Sequence, residues 1–141
     1  MFYNCTSLTQ ATALPATTLA YSCYYGMFFG CKSLTQAPEL PATILADGCY
    51  SNMFFGCKSL TQAPELPATI LADSCYSNMF RGCTSLNNIN ISFTDWDEAH
   101  GATTYWLDSV ASEGTFTCPE ALPDTPRDVS HIPSGWTIVR K

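Results

Sequence analysis

Apolar positions recur along the first two thirds of the chain with a spacing longer than any helix or strand face. Met1, Met27, Met53 and Met79 are 26 residues apart throughout (27 − 1, 53 − 27, 79 − 53), and Phe, Cys and Leu columns keep the same phase. Residues 27–52, MFFGCKSLTQAPELPATILADGCYSN, recur at 53–78 with one change, Gly48 against Ser74. Residues 1–26 are a looser copy, and 79–91 begin a fourth that then departs. Such a sequence stacks one supersecondary unit on the next, each burying its apolar edge against its neighbour. Because Met1 falls on the repeat phase, the chain is expected to start inside a repeat, as a fragment of a longer array.

Within a unit, Ser33 to Ala37 predicts a short strand. Pro38 and Pro41 end it, since each removes a ladder N–H, and the residues before them are biased away from helix. Beyond them, Leu45, Cys49, Tyr50, Met53, Phe54 and Cys57 fall within half a turn at about 100° per residue, with Asp47, Ser51, Asn52 and Phe55 opposite. This predicts a short amphipathic helix from about Leu45 to Phe55, ended by Gly56. The column Tyr3, Phe29, Phe55, Arg81 varies freely and reads as surface, whereas the constant Met, Phe, Cys and Leu columns read as core.

The unit M-F-x-G-C-x-S-L-T-x-A-P-x-L-P resembles the BspA-like leucine-rich repeats of bacterial surface proteins. Phe28, Gly30, Cys31, Ser33, Leu34, Thr35 and Pro41 stand on the family's positions, as do Phe54, Gly56, Cys57, Ser59, Leu60, Thr61 and Pro67. The family's commoner period is about 23, so each unit here carries roughly three additional residues. The expected fold is an α/β leucine-rich-repeat solenoid of short parallel strands and short helices over residues 1–91. Residues 92–141 are expected to form a carboxy-terminal α+β cap. There Ile89, Ile91 and Phe93 alternate as a strand leading in, Ala102 to Ser112 reads as a helix, and Thr115 to Cys118 and Gly135 to Val139 read as strands. Ile132 to Val139 resembles the I-P-x-G-W-T-V ending of such caps in gut-bacterial surface proteins. A cap is needed because the last coil would otherwise expose its apolar edge.

Composition narrows the chemistry. Only 13% of residues are charged, six basic against twelve acidic for a net charge of −6, so a nucleic-acid partner is excluded for want of a basic stripe. No apolar run reaches the ~18–20 residues of a membrane span. The eight cysteines stack in columns, and parallel Cβ vectors oppose the ~90° torsion of a disulfide, so buried free thiols are expected. No C-x-x-C pairing suggests zinc. The run Asp95-Trp96-Asp97-Glu98 with His100 reads as a solvated turn, lacking a calcium loop's ligand count or a partner base. No catalytic signature surrounds His100 or His131, and no cofactor is expected.

The resemblance implies a non-catalytic module for binding or adhesion on a bacterial cell surface or in secreted form, its partner a protein or glycan on host or neighbouring cells. A structural stalk or spacer, or a phage or secreted receptor-binding segment, is the alternative. The candidate contact face is the polar stripe Thr35, Gln36, Thr61 and Gln62 with Glu39 and Glu65 beside it. An aromatic patch of Phe29 and Phe55 is the competing choice.

Overall fold

The computed structural model describes residues 1–141. It contains stacked coils, residues 1–18, 19–44, 45–70, 71–93 and 94–118, followed by a closing segment, 119–141. The expected α/β architecture is corrected in one respect that changes the fold class: no α-helix is present. The regular elements are a 3₁₀ helix, Glu98–His100, and three strands, β1 (Asn88–Asn90), β2 (Gly114–Cys118) and β3 (Trp136–Arg140). The strands form one parallel sheet in the order β1-β2-β3, with Ile89 opposite Phe116 and Phe116 opposite Ile138.

Where the helices were expected, each coil carries a ribbon of consecutive four-residue turns. In residues 48–57 the odd-numbered amides bond within the coil, Cys49 N–H to the Ala46 carbonyl and Met53 N–H to that of Tyr50. The even-numbered amides reach the next coil instead: Tyr50 donates to Cys75 at 3.0 Å and Phe54 to Met79 at 2.9 Å. Alternate groups thus satisfy one another locally and across coils, so no buried backbone donor of the ribbon is left unpaired. The geometry requires a left-handed residue every fourth position. Gly48, Asn52 and Gly56 have φ of 63°, 56° and 73°, conformations that small or Asx-type side chains adopt at least cost. Ser74, Asn78 and Gly82 repeat the pattern, and so do Asp97, Gly101, Tyr105 and Ser109. The segment expected as a helix after Ala102 is therefore another turn ribbon. It accepts from the coil before it, as when Phe80 N–H donates to the Trp106 carbonyl at 3.0 Å.

The core is a set of columns. Phe28, Phe54 and Phe80 are fully buried and stack at ring spacings of 5.5 Å. Tyr50 and Tyr76 stack at 6.0 Å, and Trp106 continues that column at 6.1 Å. Leu34, Leu60 and Leu86 are likewise fully buried.

The cysteine column has its own bonding logic. Cys31, Cys57 and Cys83 direct their thiols to the carbonyls of Phe2, Phe28 and Phe54 in the preceding coil, at 2.8, 3.2 and 3.0 Å. Each cysteine fills the space of a small hydrophobe and supplies a weak donor. All eight are free, with Cys5 and Cys23 exposed and the other six buried. Burial pushes the Cys49 thiol up to about 11 and those of Cys57 and Cys75 up to about 12, which keeps them protonated and unreactive at neutral pH. Titration of the native protein with dithiobisnitrobenzoate should accordingly modify Cys5 and Cys23 at once and the remaining six only after denaturation. Fewer than eight thiols in denaturant without reductant would contradict the column geometry.

Candidate functional site

On the side opposite the turn ribbons, the extended segments of successive coils pair in parallel, with one exception. Segment 9–18 pairs with 35–44 through Gln10–Gln36 and Thr18–Ile44, and segment 61–66 pairs with 87–91 through Gln62–Asn88 and Leu66–Ile91. Between 33–44 and 59–70 there is no backbone hydrogen bond. Only the Ser59 hydroxyl crosses that seam, donating to the Lys32 carbonyl at 2.6 Å.

The repeat columns explain why this seam alone is open. Pro38 faces Thr12 in the coil before it and Pro64 in the coil after it, and Pro64 in turn faces Asn90. Only between the second and third coils does proline meet proline at this position, so both sides lack a donor. The next column reads Ala13, Glu39, Glu65, Ile91, which sets two carboxylates against each other at the same seam and adds like-charge repulsion.

The open seam forms a groove. One part, about 520 Å³, is lined by Ala37, Pro38, Glu39, Leu40, Pro41, Pro64, Glu65 and Pro67. The adjoining part, about 470 Å³, is lined by Thr35, Gln36, Ala37, Thr61, Gln62, Ala63, Pro64 and Glu65. The two share Ala37, Pro64 and Glu65 and so run into one another. Thr35, Gln36, Glu39, Thr61, Gln62 and Glu65 are all exposed along it. The prolines in its walls end the short strands in the sequence reading and turn the adjacent Glu39 and Glu65 outward; that they would also leave the seam open is not visible in one segment alone.

Phe29 and Phe55 lie elsewhere, on the ribbon side, and the surface reading of their column needs revision. Both are half-buried. Tyr3, Phe29 and Phe55 stack at 4.9 and 4.6 Å, and the Arg81 guanidinium closes the column 5.9 Å from the Phe55 ring and 5.2 Å from that of Tyr105. Arg81 is held there by Asp108 at 2.9 Å. These rings spend their faces on one another, so the column is a packed ladder with exposed edges.

A third cluster was not legible locally. Asp73, from the coil before, comes within 3.9 Å of His100 Nδ1, while Asp97 lies 2.6 Å from the same nitrogen. One ligand atom from each of the three lies within 4.8 Å of the others, a spacing that a metal ion could bridge. The hydrogen bond to Asp97, then the charge of Asp73, raises the His100 pKa, so a protonated imidazole can itself hold the two carboxylates together. Two of its members, Asp97 and His100, stand in the acidic run that the sequence reads as a solvated turn; the approach of Asp73 has no local signal, because its register with His100 is set by the cap.

No helix is long and apolar enough to cross a membrane. No protein-family model, curated protein or solved structure matches the chain.

Proposed function

We propose that this chain is a non-catalytic binding or adhesion module that engages a protein or glycan ligand along the groove between its second and third coils. The observation that carries the reading is the open seam itself. A stack needs its extended segments paired for stability, and here one rung set is missing where six exposed polar side chains, Thr35, Gln36, Glu39, Thr61, Gln62 and Glu65, line a continuous cleft. Binding surfaces built from repeated columns present the same weak contact more than once, so affinity grows with the number of equivalent positions engaged. The resemblance of the repeat unit to BspA-like surface proteins supports a location at a bacterial cell surface or in secreted form.

The test is retention of the domain on surfaces bearing arrayed glycans and host proteins. Replacing Thr35, Gln36, Thr61 and Gln62 together by Ala should abolish retention while leaving the melting temperature within a few degrees of the parent, because exposed polar side chains contribute little to the fold. A quadruple variant that binds as tightly as the parent removes the groove from consideration. A spacer would show no ligand for either protein.

A further inference from the structure

The groove has a chemistry that selects among ligands. Glu39 and Glu65 are exposed, and neither has an ion-pair or hydrogen-bond partner. The cations of the chain that form ion pairs do so elsewhere, Arg81 with Asp108 and Arg140 with Asp124. Two uncompensated carboxylates in adjacent coils, on a chain of net charge −6, give the groove a negative field that attracts cations.

The walls around them are backbone and proline. On the third coil the amides of Thr61, Gln62 and Glu65 make no hydrogen bond within the chain, which is the state of an edge strand awaiting a partner, whereas Gln36 on the second coil is bridged to Gln10 of the first. Pro38 is buried, but the rings of Pro41, Pro64 and Pro67 are at least partly exposed and offer apolar surface on which the aliphatic stem of a long basic side chain can lie while its charged end reaches a carboxylate. No aromatic ring lines either part of the groove, so the stacking platform that a sugar ring would use is missing.

We infer that the groove takes an extended peptide segment carrying arginine or lysine. The peptide lies along the seam, its backbone carbonyls accepting from the free amides of the third coil and its cations meeting Glu39 and Glu65. Main-chain pairing supplies affinity that is independent of sequence, and the two carboxylates supply the preference for basic side chains at alternate positions, which face the same way in an extended chain. This rests on the groove being the binding surface and names what it binds.

Fluorescence anisotropy with a labelled eight-residue peptide of alternating arginine and threonine tests it, using as comparison the same peptide with citrulline in place of arginine. The basic peptide should bind about ten-fold or more tightly than the neutral one, the scale of two partly exposed ion pairs. That advantage should shrink as salt is raised. Glu39→Gln with Glu65→Gln should erase the difference between the peptides, and the variant should melt no lower than the parent because a like-charge repulsion has been removed. Glu113→Gln, an exposed carboxylate outside the groove, should leave it intact.

Equal binding of the basic and neutral peptides, or an undiminished preference in the double variant, overturns the inference. Binding of a glycan lost in the Thr35, Gln36, Thr61, Gln62 variant, with neither peptide bound, overturns it while leaving the groove as the binding surface. Binding that ignores every groove substitution overturns both.

Discussion

Phe54→Ala is expected to lower the unfolding free energy by about 3–5 kcal/mol, the range for emptying a large buried aromatic site. The ring is fully buried between Phe28 and Phe80, each 5.5 Å away, so its loss opens a cavity at two coil interfaces at once. Its neighbour in sequence is a control of a different kind. Phe55 is half-buried between Phe29 and Arg81, and Phe55→Ala should cost about 1–2 kcal/mol for the lost stacking and cation contacts and the modest area exposed. That is more than a surface position would lose and less than a core one. Urea titrations followed by tryptophan fluorescence give both values. Equal losses would mean that the ribbon faces have been assigned wrongly.

The same pair of residues shows what the sequence made legible and what it concealed. The 26-residue period and the identity of the stacked columns can be read directly, because identical residues one period apart must be equivalent in any stack. The helix expectation failed for a numerical reason. Cys49, Tyr50, Met53, Phe54 and Cys57 are buried at a repeat of four residues, and over so few turns this cannot be told from a repeat of about 3.6. What separates the two is the placement of Gly48, Asn52 and Gly56, four apart and all left-handed. Glycine and asparagine at each fourth position would punish a helix and suit a chain of turns. Gly56 was read as a helix stop when it was one of a series.

The groove was half legible. The polar stripe and the glutamates stand out along one extended segment, but the opening of one seam depends on comparing columns: Thr12, Pro38, Pro64, Asn90, then Ala13, Glu39, Glu65, Ile91. Near-identical units do not pair alike at every interface, because pairing is a property of two faces, and only one interface sets proline against proline in the Thr12, Pro38, Pro64, Asn90 column and glutamate against glutamate in the next. The contact of Asp73 with His100 lay further out of reach, since it joins a regular repeat to a coil whose sequence no longer follows the period.

The irregular end of the stack yields the other large effect. Trp106 is fully buried, packs against Tyr76, Phe93, Trp96 and Phe116 at centroid distances of 6.0 to 6.2 Å, and donates its indole N–H to the His131 carbonyl at 2.9 Å. It therefore joins three parts of the chain: the last near-regular coil, the β1-β2-β3 sheet and the closing segment. Trp106→Ala should cost about 3–5 kcal/mol. Trp106→Phe keeps most of the packing but leaves the His131 carbonyl without that donor, and should cost about 1–3 kcal/mol. The distribution of the damage is as informative as its size. In a stack whose coils touch only their neighbours, loosening one end need not open the middle. In Trp106→Ala, amide exchange should accelerate first at Phe80 and Gly82, which donate to the Trp106 and Asp108 carbonyls. The amides of Phe28 and Gly30, which bond to Met53 and Phe55, should keep their protection longest. If protection falls equally at both ends, the chain unfolds as one cooperative unit, and the coils are coupled more tightly than nearest-neighbour stacking allows.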